Sequence, residues 1–540
     1  MENLSFFTRK TTLNSLTKRI ADFKDGYRQN ISILGEELTG KTTLLKTFLN
    51  TINDDELVAV YVEIMPFEFC LFVKRFLNSL LYNYLKKYRL ISSRENLDFL
   101  IKMAQECLPV TAPLIRQLYL KLPKEKYEII FQELFNIIEA FSHETKKRCI
   151  VIFDEFHNLK KFGINNICQE LGKKIMFQKD TFFIFSSSST NEAKTILSND
   201  LSLLFGNFET TELGMLNPET CEFFIKDVFQ DIAVSKDFTN FLINFTDGHP
   251  FYLKMFSHEA ASLSKISGTS PLEKEVLIQA FENLLFCEWG IFNIKFMHFL
   301  SQLMSNRAKN DFIYLLDALA LGKNRIQDLA THIRKQRSEI TQKLNRLIEL
   351  GIIIKNGSFY SIKDRVFLFW LKFVYHEKLN SLSPDYSEQV QHFKFKIEAT
   401  IEEFISASKK NILDRILDLF NLFEGDDIQI DTKKIQLSTF KELKIVRFDN
   451  ANIKLGIFGK AQDSFWLATI KEDGIKEKDI SDFIQSSKKF KQKSINKIMI
   501  GLGDIERNAK LLAKESRIIT LDIANVNSLL DLYGKPRIIK

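Results

Sequence analysis

Gly35, Gly40, Lys41 and Thr42 stand at the spacing G-x-x-x-x-G-K-[ST], between an apolar run at residues 31–34 and the helical rhythm Leu44, Leu45, Phe48, Leu49. Strand, glycine-bearing turn and helix in that order form a phosphate cradle, because successive backbone N–H groups can point inward and the helix start adds positive dipole. The residues expected to contact phosphate are Gly35, Glu36, Glu37, Leu38, Thr39, Gly40, Lys41, Thr42 and Thr43. Lys41 is expected on the β/γ-phosphates, as a catalytic as well as a binding residue, and the Thr42 hydroxyl on Mg²⁺. A second apolar run, 149–153, ends in Asp154-Glu155. Ligands of doubly wound sheets lie at the carboxyl ends of the strands, so this pair is expected beside the phosphates. Asp154 would hold the metal, and Glu155 would orient or deprotonate the attacking water. A third run, 181–185, ends in Ser186, Ser187, Ser188, Ser189 and Thr190, where a hydroxyl, Ser187 first, could sense a γ-phosphate or simply close a turn.

The elements that must position these groups follow from periodicity. Residues 57–64, 149–153 and 181–185 are nearly continuous apolar runs, as parallel strands covered on both faces require, and 208–213 is the expected last strand. Helical spacing runs over 67–88 and 127–141. Ahead of the loop, Phe6, Phe7, Leu13 and Leu16 with Arg9 and Lys10 form a segment of the kind that lies across base and ribose. From Asn217-Pro218 onward the pattern is helical, with Asp247-Gly248-His249-Pro250 as a stop and restart. Helices at 311–321, 326–333 and 338–350 and a hairpin of 352–354 with 358–362 across Asn356-Gly357 predict a winged helix. Arg334, Lys335, Arg337, Lys343 and Arg346 give it a candidate face for double-stranded DNA. After a polar stretch at 380–391, a helix at 395–423 and strands near 443–448, 453–458, 465–470 and 495–500, closed by 517–523, predict a second α/β unit. The basic run Lys488, Lys489, Lys491, Lys493 and Lys497 reads as a solvated helix face.

Composition bounds the rest. A chain of 540 residues exceeds one core, and about three or four domains are expected. Hydrophobic content of 45% with 26% charge excludes a disordered chain. No stretch reaches the roughly 18 to 20 apolar residues of a membrane span, and the start lacks a signal design, so no membrane association and a cytoplasmic location are expected. The six cysteines are scattered without a C-x-x-C pair, which argues against a zinc or disulfide framework. A net charge of +7 is mild for this length, so it permits nucleic-acid binding without requiring it.

The loop, the Asp154-Glu155 strand, the Gly248-His249-Pro250 turn and the winged helix together resemble the archaeal-type ATPases, AAA-like P-loop proteins related to the STAND switches and origin-recognition ATPases. Phe7-Thr-Arg9 resembles the nucleotide-contacting motif that opens this family, and 369–374, Phe-Trp-Leu-Lys-Phe-Val, the signature after its winged helix. The resemblance implies an α/β P-loop ATPase core at 1–213, a helical lid at 214–305, a winged helix at 306–378 and an endonuclease-like α/β domain at 391–540. It also implies ATP and Mg²⁺ as cofactors, with Arg9 and Pro250 added to the nucleotide contacts. Two sites depart from the family. Gly206-Asn207 stands where a Gly-Arg pair commonly supplies an arginine finger. Lys454 and Thr469-Ile470-Lys471 stand where a nuclease needs an acidic residue and Glu-x-Lys; Asp449, Asp463 and Glu472 could substitute, but none sits at the motif position. The expected activity is a nucleotide-driven ATPase switch, slow and capable of nucleotide-dependent assembly. The alternatives are a nucleotide-stabilised scaffold working through an unidentified protein partner, and an ATP-regulated nuclease.

Overall fold

The structure is a computed structural model that describes residues 9–87, 91, 95–202, 206–303, 309–380, 385–430, 433–450, 452–490 and 495–539. Phe6, Phe7, Lys491 and Lys493 therefore lie outside the described residues. The chain forms two compact units, one of residues 1–216 with 249–251 and one of 217–248 with 252–540. Among the described residues no helix is long and apolar enough to cross a membrane.

The first unit is built on five parallel strands, β1 (Asn30–Leu34), β2 (Leu57–Glu63), β3 (Arg148–Asp154), β4 (Thr181–Ser187) and β5 (Phe208–Glu212), in the order β2-β3-β4-β1-β5. This is an α/β P-loop NTPase fold. The near-continuous apolar strands have the cause anticipated from the sequence, burial on both faces. Along β3, Val151 and Phe153 enter one core and Ile150 and Ile152 the other. On β4, Phe183 and Phe185 likewise oppose Phe182 and Ile184. The first core is closed by helices Phe69–Lys86, Leu97–Ala104, Thr111–Lys121 and Tyr127–Thr145, of which Leu97–Ala104 and Thr111–Lys121 were not anticipated. Each is under four turns long, so its apolar stripe gives only a short periodic signal.

In the second unit, helices from Pro218–Phe229 through Ile291–Leu303 precede helices Lys309–Ala320, Ile326–Ile333 and Arg337–Glu349 and the hairpin β6 (Ile353–Asn356) and β7 (Phe359–Ile362). The hairpin turn differs from the expected one. Asn356 pairs with Phe359, so the two-residue loop is Gly357-Ser358, with φ positive at Gly357 alone, the II′ arrangement. Asn356 is instead committed elsewhere, since its Oδ1 accepts from Gln429 N at 2.6 Å. The helix expected at 395–423 is two helices, Tyr386–Lys409 and Ile412–Phe420, because the Asn411 side chain caps the second by accepting from Leu413 N at 2.9 Å. The first of them starts inside the polar stretch expected to be a boundary, capped by Asp385. A hairpin that was not anticipated, β8 (Asp427–Ile430) with β9 (Lys433–Gln436), leads into a mixed sheet. Its strands β10 (Glu442–Arg447), β11 (Leu455–Lys460), β12 (Phe465–Lys471), β13 (Ile495–Gly501) and β14 (Ile518–Leu521) lie in sequence order, antiparallel up to β12 and parallel after it.

Candidate functional site

The loop between β1 and helix Lys41–Thr51 is tight at both glycines. A Cβ on Gly35 would meet Leu213 O at 2.6 Å, and Gly40 caps the helix at φ 94°, a backbone that side-chain-bearing residues rarely adopt. β5 holds the loop from outside, with Leu213 N donating to Leu34 O at 2.6 Å. Lys41 is buried, and its Nζ donates to Gly35 O at 2.9 Å and Glu36 O at 2.6 Å. Burial pushes this ammonium below its usual range, against the opposing pull of the Glu155 and Asp154 carboxylates. A desolvated cation ringed by carbonyls is well matched to an anionic phosphate, which would compensate the charge more fully.

Asp154 is fully buried at the end of β3. Its Oδ2 accepts from Thr42 Oγ1 at 2.6 Å and Tyr61 OH at 2.8 Å, and its Oδ1 from Ser186 Oγ and from Glu155 N at 3.1 Å. Burial, and then Asp154, push the Tyr61 phenol far above its usual range, so it stays a donor. Carboxylate and hydroxyl thus form a hard oxygen pair of the kind Mg²⁺ takes, the rest of its octahedron usually being water and phosphate. Glu155 follows at φ 57°, and its Oε2 accepts from Ser188 N at 2.8 Å and Ser188 Oγ at 2.7 Å. Of the other anticipated residues, Arg9 donates to Gly214 O at 2.6 Å and Thr39 O at 3.3 Å, bracing the loop. Thr43 is exposed on the first turn. Ser187 pairs with Leu34 in the sheet, but its Oγ lies 2.8 Å from His157 Nδ1. Pro250 starts helix Pro250–Ser267, and beside it His249 Nε2 lies 3.2 Å from Glu37 O.

Sequence reasoning missed Tyr61 and His157, and it named Ser186 and Ser188 only as members of the serine run, without their carboxylate partners. Four consecutive serines carry no periodic signal, so which hydroxyl meets which carboxylate is set by the register of β4 against β3. Tyr61 looked like one more apolar strand residue.

His157 gives a pH expectation. Burial holds its imidazole below the usual value, opposed by Glu155. The unfolded chain then binds the proton more readily, so this contribution is intact above about pH 6.5 and fades as pH falls toward the folded value. In denaturant titrations from about pH 7.5 to 5, wild type should lose stability more steeply than His157→Asn. Parallel curves would show that His157 protonates freely in the folded protein.

In the second unit, Lys471 Nζ donates to Asp479 Oδ1 at 2.8 Å, and Asp449 pairs with Lys489 at 2.5 Å. Lys454, Asp463 and Glu472 are exposed. On the expected DNA face, Lys335 and Lys343 both bind Asp311 and Glu339, and Arg346 binds Glu349 at 2.9 Å.

Residues 6–256 match the family model described as an ATPase domain predominantly from Archaea. Among solved structures, the chain is similar to a Walker-type ATPase of Pyrococcus abyssi at 17% identity, covering 67% of this chain and 95% of that one with a TM-score of 0.47. It is also similar to the ORC2 protein of Aeropyrum pernix in ADPNP–ADP complexes, at 11% identity, 72% and 95% coverage and a TM-score of 0.44. The RuvB Holliday junction branch migration motor of Thermotoga maritima matches at 12% identity, 71% and 96% coverage and a TM-score of 0.32. No curated protein sequence matches the chain. With the Gly35–Thr42 loop and the Asp154-Glu155 strand end in place, residues 6–256 form a P-loop ATPase domain of the kind that the archaeal ATPase family model describes.

Proposed function

We propose that the protein binds MgATP and hydrolyses it slowly, as a nucleotide-driven switch whose output goes to protein rather than nucleic acid. The observation that carries the first part is Thr42 Oγ1 at 2.6 Å from the buried Asp154 carboxylate, beside the desolvated Lys41. Thr42 and Asp154 are the residues that would hold Mg²⁺, and when bound the metal supplies charge compensation to the phosphates. Lys41 contributes a second positive charge, and Arg9, Gly35 to Thr43, Ser187 and Pro250 form the rest of the nucleotide contacts in this reading. Glu155, fixed through one oxygen by Ser188, is the group to accept a proton from water. The slow rate follows from Asn207. Its backbone carbonyl accepts from Asn30 N at 2.9 Å, and no guanidinium stands at that position. An arginine finger is worth about 10³ to 10⁵ in rate. The test is steady-state phosphate release against a Glu155→Gln control.

In this reading residues 214–305 act as a lid and 306–378 as a winged helix. Protein output is favoured by how that helix–hairpin module spends its polar groups. Ser358 N, in the hairpin turn, donates to Asp427 O at 2.8 Å, and Asp427 N to Ser358 Oγ at 3.2 Å. Arg325 makes a bidentate pair with Asp426 at 2.7 and 2.8 Å. The hairpin tip is therefore occupied by β8, and only Arg334 and Arg337 remain exposed on the basic face without a carboxylate described against them. Binding of duplex DNA should then show a log–log salt slope no steeper than about −2, at about −0.9 per phosphate contact. Arg334→Glu with Arg337→Glu should abolish what binding there is. A slope of about −4.5 would mean that Lys335, Lys343 and Arg346 exchange their carboxylates for phosphates and that DNA is the partner.

The second unit's sheet is proposed to be a non-cleaving platform. Where a nuclease would hold its cation, Lys471 is neutralised by Asp479, and the exposed Lys454 adds positive charge.

A further inference from the structure

The turn Asp247-Gly248-His249-Pro250 contributes residues to both units. At one end, His249 Nε2 lies 3.2 Å from Glu37 O, in the phosphate loop. At the other, Asp247 accepts from the Arg537 guanidinium. Arg537 also donates to Asp531 Oδ2 from Nη2 at 2.6 Å and Nε at 2.8 Å, and its backbone N to Asn244 Oδ1 at 3.2 Å. Arg365 donates from Nη1 to the other oxygen of Asp531 at 2.5 Å. The segment around Arg537 is pinned further by reciprocal bonds between Asn527 and the Ile538 backbone, 2.8 and 3.0 Å, and by Arg415 donating to Pro536 O. Two arginines share one aspartate here, so the arrangement is short of one negative charge unless Asp247 completes it. That makes the Asp247 contact the member whose loss the cluster would feel most.

We propose that this Arg537–Asp247 clamp is the readout of the phosphate loop, linking nucleotide occupancy to the packing of helix Ile523–Leu532 and the segment 535–538. The inference rests on the proposed nucleotide site. Its switch element is the loop backbone. Lys41 Nζ is bonded to Gly35 O and Glu36 O, and a phosphate competing for that ammonium releases both carbonyls, two residues and one residue before the carbonyl that faces His249. The clamp is matched to the loop with Lys41 on its carbonyls, so phosphate moves His249 and, two residues along the chain, Asp247. Coupling of this kind is reciprocal: if nucleotide loosens the clamp, removing the clamp tightens nucleotide.

The experiment is hydrogen exchange on the full chain with and without MgATP or MgADP, with nucleotide binding measured separately by thermal shift. In wild type, amides of 523–538 should exchange at least about 5-fold faster with nucleotide, the lower end of ordinary coupling factors. In Arg537→Gln and Asp247→Asn they should exchange fast in both conditions, and nucleotide affinity should rise by a similar factor. Asp247→Asn leaves Arg537 on Asp531, so it serves as the readout if Arg537→Gln fails to fold. A wild type that binds nucleotide with unchanged exchange over 523–538 overturns the clamp and leaves the nucleotide site standing. A wild type with no thermal shift overturns both.

Discussion

Replacing Glu155 by Gln lowers phosphate release from MgATP by about 10² to 10⁴-fold, the usual contribution of a positioned general base, while leaving nucleotide affinity near wild type. The split follows from the geometry. Ser188 N and Oγ both donate to Glu155 Oε2, and a glutamine carbonyl accepts the same two bonds, so the φ 57° backbone and the side-chain position survive the change. What disappears is basicity. The barrier rises by roughly 2.7 to 5.5 kcal/mol, whereas Thr42, Asp154 and Lys41, on which affinity depends, keep their contacts. Two failures would be informative in different ways. A Gln variant as fast as a measurable wild type removes Glu155 from the reaction. A wild type no faster than the variant because neither hydrolyses favours the nucleotide-stabilised scaffold, and Asn207 is the first position to convert to Arg.

The anchors of this site could be read from the sequence because each combines a residue-type rule with a context rule. Lys41 and Thr42 are fixed by a spacing that only a strand-to-helix turn makes useful, and Asp154 by the end of a run too apolar to be anything but a covered parallel strand. The order β2-β3-β4-β1-β5 was not readable, because strand neighbours depend on long-range packing that leaves no periodic mark. That order decides the finer chemistry. It sets β4 between β1 and β3, so that Ser186 serves Asp154, Ser187 serves His157 and Ser188 serves Glu155. The second unit shows the same limit from the other side. Basic residues before and on helix Arg337–Glu349 looked like a phosphate-binding face, yet Asp311, more than twenty positions away in sequence, neutralises Lys335 and Lys343. Charge clusters are local in sequence, and their counterions need not be. The hairpin β8–β9 went unread because its strands are only four residues each and carry Lys433 and Lys434 facing solvent.

Lys41→Ala should lose nearly all of the thermal shift that saturating MgATP or MgADP gives wild type, with little change in the protein's own melting temperature. At a hundred times its dissociation constant a ligand stabilises the folded state by about 2.7 kcal/mol, which for a unit of this size is a shift of roughly 5 to 10 °C. Lys41 is the side chain whose removal should cost most of it. Its ammonium is buried, and burial alone holds it below its usual range, so it gains more from a phosphate than an exposed lysine would. The same desolvation is why folding should tolerate the loss. Taking away a buried charge whose partners are two carbonyls removes a desolvation cost together with the bonds at 2.9 and 2.6 Å, and the two effects offset. Calorimetry or dye-monitored melting of both proteins, each with and without nucleotide, separates the terms. Equal nucleotide shifts in the two proteins would mean that phosphate does not reach Lys41. A Lys41→Ala protein that melts far lower on its own would mean that the loop is held by this side chain rather than by Gly35, Arg9 and the Leu213 contact.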